Sequence, residues 1–171
     1  ELYAGGQFLK IESLNVNHIA RYDGSQWKDV GGGVTNELTH IRCMAVYKGE
    51  LYVGGSFSKA GADTIGYIAR WNGSKWDSVG AWAGVYGPPF AMVVDTVKDL
   101  LYVGGLFDGA VKDWNLIPDT RSIAQWDGTK WSALPGFPGS GVKSMCMYHG
   151  QLYVDCDGYY NPPTDTFVPL A

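Results

Sequence analysis

A five-residue phrase returns along this chain at an almost constant step, and no other feature restricts the fold as much. It reads Leu2-Tyr3-Ala4-Gly5-Gly6, then Leu51-Tyr52-Val53-Gly54-Gly55, then Leu101-Tyr102-Val103-Gly104-Gly105, at steps of 49 and 50 residues. A fourth copy, 51 residues further on, has drifted to Leu152-Tyr153-Val154-Asp155-Cys156. A second phrase keeps the same beat. It runs Ile19-Ala20-Arg21-Tyr22-Asp23-Gly24-Ser25-Gln26-Trp27, then Ile68-Ala69-Arg70-Trp71-Asn72-Gly73-Ser74-Lys75-Trp76, then Ile123-Ala124-Gln125-Trp126-Asp127-Gly128-Thr129-Lys130-Trp131. Periods of this length mark arrays of supersecondary units, each burying its apolar face only against its neighbours.

Each repeat divides into four short strands. In the second copy the first strand ends at Tyr47 and Lys48-Gly49 turns it into a second strand over 50–57; a third runs over 67–71 and a fourth over 75–79. Gly, at 24 residues, and aromatics, at 14%, suit tight turns and pleated surfaces, and no window shows competing helical periodicity. Asp23-Gly24, Asn72-Gly73 and Asp127-Gly128 predict two-residue type I′ hairpin turns. Such turns place Tyr22 opposite Ser25 and set Ala20, Ala69 and Ala124 opposite Trp27, Trp76 and Trp131. Large against small leaves room for the indoles, which then pack between neighbouring units. A sugar-stacking platform is the rival reading, disfavoured because a ligand site rarely recurs in every unit.

Four-stranded repeats of about 50 residues set around an axis make the blades of a β-propeller. The expected fold is therefore all-β, a partial ring of about three and a half blades. Part of a blade covers 1–33, whole blades cover 34–82 and 83–136, and a further part covers 137–158. An irregular tail follows over 159–171, in which Thr166-Phe167-Val168 would form one short strand.

The wording Leu-Tyr-Val-Gly-Gly-x-Phe, followed by Ile-Ala-Arg-Trp-Asn-Gly-Ser-x-Trp, resembles kelch and galactose-oxidase-like propeller repeats. It is similar to repeats of large secreted or surface proteins of bacteria and to fungal cortical-marker ectodomains. The resemblance covers nearly the whole chain, with Tyr22 and Trp27 closer together than the equivalent pair in standard kelch repeats. It implies a scaffold and does not imply an activity. Propellers close with about four to eight blades, so three arrangements are open. The chain is part of a longer propeller; or it forms a head-to-tail homodimer whose C-terminal first strand completes the partner's N-terminal unit; or it is an open arc with bare edge strands.

Strand alternation puts the first-to-second and third-to-fourth turns at one end of the array. The second-to-third loops and the links between units lie at the other end. The loops of that second end, over 8–18, 57–66 and 107–122, and the link over 80–89, are long and irregular in sequence, and function on a rigid scaffold concentrates in such loops. Trp82, Tyr86 and Trp114 have no counterpart in the other copies. They are candidates for stacking on a sugar or meeting a partner protein, with capping of an apolar end as the structural alternative. Asp63, Asp108, Asp113 and Asp119 occupy equivalent loops, and Asp63 and Asp108 join the candidate binding set. No spacing matches a calcium loop, so solvated carboxylates are the plainer reading.

Catalytic constellations do not emerge. His18, His40 and His149 fall at unrelated positions of the repeat; His18 and His40 both lie on the long-loop side. Gly31-Gly32-Gly33 lacks the Lys and Ser/Thr of a phosphate loop and reads as a link between units, and no Gly-x-Ser-x-Gly elbow occurs. Cys43, Cys146 and Cys156 are an odd set. The hairpin turning at His149-Gly150 pairs Cys146 with Tyr153 and Cys156 with Lys143, on opposite faces, so the thiols read as small core residues. Asn72-Gly73-Ser74 matches a glycosylation acceptor but is first a turn. Arg21, Arg70 and Gln125 share one repeat position, which suggests hydrogen bonding or stacking between units.

A net charge of −4 disfavours nucleic acid, and no apolar run approaches the ~20 residues of a membrane helix. The chain opens on Glu1-Leu2-Tyr3 without a leader pattern, as a trimmed secreted product or a cytosolic one would. The function expected is a non-catalytic propeller module of a secreted or cell-surface protein. It binds a protein partner or assembles through its long-loop face, without cofactor or metal. A lectin-like, carbohydrate-binding propeller is the alternative. A further one is a propeller enzyme: a lyase, a glycosidase using paired loop carboxylates, or a copper oxidase needing a Tyr/His/Cys set that these histidines do not provide.

Overall fold

The computed structural model describes residues 1–36, 39–80, 84–137, 141–156 and the strand Phe167–Pro169. The described residues form an all-β structure without a helix. Two complete antiparallel meanders dominate. One orders its strands as His40–Tyr47, Glu50–Ser56, Ile68–Trp71 and Trp76–Ser78; the other as Pro89–Asp95, Leu100–Gly105, Ile123–Trp126 and Trp131–Ser132. Before them stands a three-stranded sheet of Leu2–Gly5, Ile19–Tyr22 and Trp27–Asp29, which matches the last three strands of a unit. After them comes the hairpin Val142–Tyr148/Gln151–Cys156, matching the first two strands. Phe167–Pro169 adds to that hairpin in parallel, Leu152 opposite Phe167. Consecutive sheets stack on one another: the second, third and fourth chiefly through their first strands, and the first through Leu2–Gly5 against His40–Tyr47.

The glycine doublet explains how they stack, and neither glycine is there for its φ. A Cβ added at Gly54 would lie 2.7 Å from Met92 Cε, 2.8 Å from Cys43 Sγ and 2.9 Å from Pro89 Cβ. At Gly5 it would lie 2.7 Å from Met44 Sδ and 2.9 Å from Ile41; at Gly104, 3.1 Å from Met145 Cε and 2.5 Å from Val142. In each case a methionine from the first strand of the following unit sits on the bare glycine of the preceding one. Met44, Met92 and Met145 occupy one repeat position, opposite Val53, Val103 and Val154. The second glycine faces its own sheet: a Cβ at Gly55 would fall 1.9 Å from the His40 carbonyl oxygen, and one at Gly105 2.4 Å from that of Pro88. There each first strand carries a bulge, at Ile41/Cys43, Pro89/Ala91 and Val142/Ser144. The extra residues stack across units, Arg42 over the Phe90 ring at 4.8 Å.

The third-to-fourth turns differ from expectation. Tyr22 pairs with Trp27, Trp71 with Trp76 and Trp126 with Trp131, while Ala20 faces Asp29 and Ala69 faces Ser78. The turn is centred one residue later than a type I′ turn at Asp-Gly would be, and only the glycine takes positive φ (103°, 98° and 99°). The reason is the acidic or amide side chain. Asp23 Oδ1 accepts from the backbone N–H of Ser25 (2.9 Å) and Gln26 (3.0 Å) and from Ser25 Oγ (2.7 Å). Asn72 and Asp127 make the same three bonds. That cap needs its Asx at the corner of the turn, not at its centre. A one-residue slide of the turn moves the partner by two residues, so the indole keeps its face and meets an aromatic ring in place of an alanine. The rings tilt against each other at 5.3, 5.4 and 5.1 Å between centroids.

The indoles do pack between units. Trp76 Nε1 donates to the Val30 carbonyl and Trp131 Nε1 to that of Val79, both at 2.9 Å, and the two residues are 3% and 6% exposed. Each removes ~150–250 Å² from water, at most about 4–6 kcal/mol. The link glycines Gly31 (φ 57°) and Gly80 (φ 84°) let the backbone approach the next unit's Trp71 and Trp126 closely. Trp27, with no preceding unit in this chain, is half-buried. Arg21 and Arg70 bond within their own unit, not between units. They pair with Glu1 (3.0 Å) and Glu50 (3.1 Å), and where Leu100 replaces that glutamate, Gln125 replaces the arginine and donates to the Ala133 carbonyl.

The fourth copy departs from this plan. Asp155 holds the position of Gly5, Gly54 and Gly104, so a further unit docking in the same way would drive its methionine into a carboxylate. All three cysteines are free thiols, and Cys146 is exposed rather than a core residue. The bulge at Val142/Ser144 pairs Cys156 with Val142 in place of Lys143. Burial pushes the Cys43 thiol up to about 12.

Two stability measurements follow from these contacts. Gly54→Ala should destabilise by about 1–3 kcal/mol through overpacking. Combined with Met92→Ala, it should cost less than the sum of the two by about 1 kcal/mol, because both act on one contact; denaturant titration of the four variants reads this. Asp127→Ala should cost about 0.5–2 kcal/mol. Asp127→Asn should stay within about 0.5 kcal/mol, as Asn72 already forms the same cap.

Candidate functional site

The long loops are clasped at their base by one repeated device. His18, Tyr67 and Ser122 precede the third strands in the left-handed region, with φ of 67°, 63° and 62°. The N–H of each bonds back to the carbonyl of Phe8, Phe57 or Phe107 at 2.9–3.0 Å, and the carbonyl of each accepts from Gly6, Gly55 or Gly105. Beyond the clasp the loops are less irregular than the sequence suggests. Lys10–Ile11 pairs with Leu14–Asn15, and Val111–Lys112 with Asn115–Leu116. The links dock on the loops: Val34–Thr35 pairs with Lys59–Ala60, and Val85 bridges Ala110.

Between these clasped loops and the links lie two cavities at the same end of the molecule. One, of ≈ 530 Å³, is lined by Gln7, Phe8, Leu9, His18, Asn36 and Thr39. The other, of ≈ 270 Å³, is lined by Asn36, Phe57, Ser58, Thr64, Gly66, Tyr67 and Tyr86. Asn36 belongs to both, so they adjoin as one groove. Phe8 and His18 in the first occupy the repeat positions of Phe57 and Tyr67 in the second. Thr39, itself buried, fixes Asn36: its Oγ1 accepts from the Asn36 N–H at 2.5 Å and lies 3.1 Å from both the carbonyl and Oδ1 of that residue. None of the described lining side chains is an Asp, Glu, Lys or Arg.

His18 is held below the ordinary imidazole range, chiefly by burial. The neighbouring His40 charge adds to this, and a hydrogen bond with the Gly6 backbone opposes it. It is therefore neutral at pH 7. Among the described residues no group of three or more His, Cys, Asp and Glu is placed to hold a metal ion.

The candidate residues separate. Tyr86 is 58% exposed at the rim of the groove, and its carbonyl accepts the Asp108 N–H at 3.0 Å, which brings those two together. Asp63 is exposed and pairs with Ala60, next to the lining residue Thr64. Trp114, 73% exposed, sits at the tip of the Val111–Leu116 hairpin and lines neither cavity. Trp82 lies outside the described residues. The sequence reading did not single out Asn36, Phe8, Phe57 or Tyr67. The signal was present in the phenylalanine that follows each glycine doublet and in the position shared by His18 and Tyr67.

Comparison with protein-family models, with characterised proteins and with solved structures returns no match. The reading of this face therefore rests on its own geometry.

The depressed His18 pKa has a consequence for stability. The unfolded chain takes up the proton first as pH falls, so stability declines from about pH 6.5 downward until the folded form titrates as well. His18→Asn removes that titration and tolerates the left-handed backbone. Thermal melts between pH 7.5 and 5 should show a flatter decline for the variant than for the native chain.

Proposed function

We propose that the chain is a run of kelch-like β-propeller blades. In this reading it serves as a non-catalytic binding module of a secreted or cell-surface protein and engages its ligand through the long-loop end. One observation carries the reading: the clasped loops of successive units and the links between them open onto one end and leave a groove across a unit boundary. The meander order of the sheets and the stacking of their first strands support the propeller arrangement. The opposite end offers short turns such as Lys48-Gly49 and His149-Gly150, with a cavity of ≈ 320 Å³ lined by Glu1, Arg21, Gly49, Asn72 and Gly73. The recurring wording of the repeats supports the extracellular placement.

Arrays of proteins and glycans probed with the native chain, Tyr86→Ala and Val97→Ala test the reading. Val97, 85% exposed against 58% for Tyr86, lies on the short-turn end. Hits should weaken about tenfold with Tyr86→Ala and persist with Val97→Ala. Loss with Val97→Ala alone, or chemical turnover of a bound hit, contradicts the proposal.

A further inference from the structure

In the later units a first strand runs along the edge of the second, and the first sheet is the exception. Glu50–Ser56 and Leu100–Gly105 each lie between two strands. Leu2–Gly5 has Ile19–Tyr22 on one side and, among the described residues, no strand on the other. The Gly6 N–H bonds to the His18 carbonyl on the paired side. Strand alternation therefore turns the N–H and C=O of Tyr3 and Gly5 toward the open side. We infer that this edge and the cavity beside it accept one extended strand of a separate polypeptide, ending in an aromatic residue followed by a lysine. The inference goes beyond the reading above and does not depend on what the long-loop end binds.

The cavity shows which side chains fit. At the boundary between the second and third units the end of a first strand is in place. Tyr47 sits edge-on to Tyr52 with ring centroids 5.7 Å apart, and its hydroxyl donates to the Asp99 carbonyl at 2.7 Å. Lys48 Nζ donates to the Asp127 carbonyl at 2.8 Å and pairs with the Asp99 carboxylate at 2.9 Å. A Cβ added at Gly128 would meet that same Nζ at 3.1 Å. One boundary earlier the repeat equivalents of Tyr52, Asp99, Asp127 and Gly128 are Tyr3, Gly49, Asn72 and Gly73. All of these line the ≈ 320 Å³ cavity. The space is thus the imprint of a Tyr-Lys pair. Gly49 keeps the backbone carbonyl that would accept the phenol hydroxyl, but not the carboxylate that holds Lys48.

The register follows from the second unit. There Ala45 pairs with Tyr52, Val46 with Leu51 and Tyr47 with Glu50. On the open edge the same register sets the aromatic residue of the partner opposite Glu1 and beside Tyr3, within the cavity. Backbone bonds of an added strand supply affinity with little regard to sequence, and the pocket for its side chains supplies the choice. Burying one tyrosine ring there removes up to ~150–250 Å² from water.

The test is fluorescence anisotropy of a labelled peptide with the sequence of residues 40–49, its Cys43 replaced by Ser, titrated with the full chain. Every substitution is made in the peptide, so the folding of the chain is not at stake. The peptide should reach half-saturation below about 1 mM and form a one-to-one complex by light scattering. Tyr47→Ala should weaken it about tenfold and Lys48→Ala about threefold. Ala45→Pro, which removes an N–H from the ladder, should abolish binding. Hydrogen exchange of the chain should slow at the Tyr3 and Gly5 amides when peptide is bound. Absence of binding overturns the inference. So does an affinity that Tyr47→Ala and Ala45→Pro leave unchanged, or exchange that slows only at another edge such as Trp76–Ser78. A dimer of the chain that excess peptide leaves intact, with Tyr3 and Gly5 already protected, would assign the edge to a second copy and overturn the separate partner.

Discussion

The contact on which this structure depends is a methionine resting on a glycine that has no side chain. The doublets Gly54-Gly55 and Gly104-Gly105 each serve two constraints at once. Its first glycine leaves a seat for the next unit, and its second lets the backbone close onto the bulge of its own first strand. Neither position tolerates a Cβ without displacing something, and at Gly54 the displaced partner includes the rigid ring of Pro89. The spacing of the sheets is thus set by an absence of atoms, repeated at Gly5, Gly54 and Gly104.

The outer half of the first two interfaces is held differently. There a pair of tilted aromatic rings is presented by the turn that the Asx side chain caps, and the indole N–H reaches the carbonyl at the end of the preceding unit. Between units two and three this is reinforced by Trp126 Nε1 to Tyr52 at 3.3 Å and by Tyr47 to the Asp99 carbonyl at 2.7 Å. Inner seat and outer hydrogen bond fix one relative orientation of neighbouring sheets. That orientation in turn brings each link against the neighbouring loops, which is what opens the groove at Asn36.

Much of this was legible in the residues, for identifiable reasons. The strands and their order followed from the repeated phrases and turn chemistry, because a period-two pattern bounded by Gly, Asn and Asp admits few alternatives. The packing of Trp76 and Trp131 followed from their recurrence. The turn register did not, because Asp-Gly serves both a type I′ centre and an Asx corner, and the Ser or Thr two residues after the Asx decides between them. The methionines were overlooked because the bulge and the unequal first hairpins blur their spacing: Met44 precedes Gly54 by less than Met92 precedes Gly104. The Arg21–Glu1 and Arg70–Glu50 pairs hid in plain view, since the charge lost at Leu100 is matched by that lost at Gln125. The groove was beyond sequence reasoning. Its lining joins loops and links far apart in the chain, and only the stacking of the units brings them together.

Methyl NMR on the chain labelled at the methionine methyl groups tests the central claim most directly, because the chain has only four methionines. The account predicts strong cross-peaks from the Met44, Met92 and Met145 methyls to the α-protons of Gly5, Gly54 and Gly104 respectively, each joining one repeat to the next. Methyls that instead contact only their own sheet, or that are quenched by a soluble paramagnetic agent as water-exposed groups are, would contradict it.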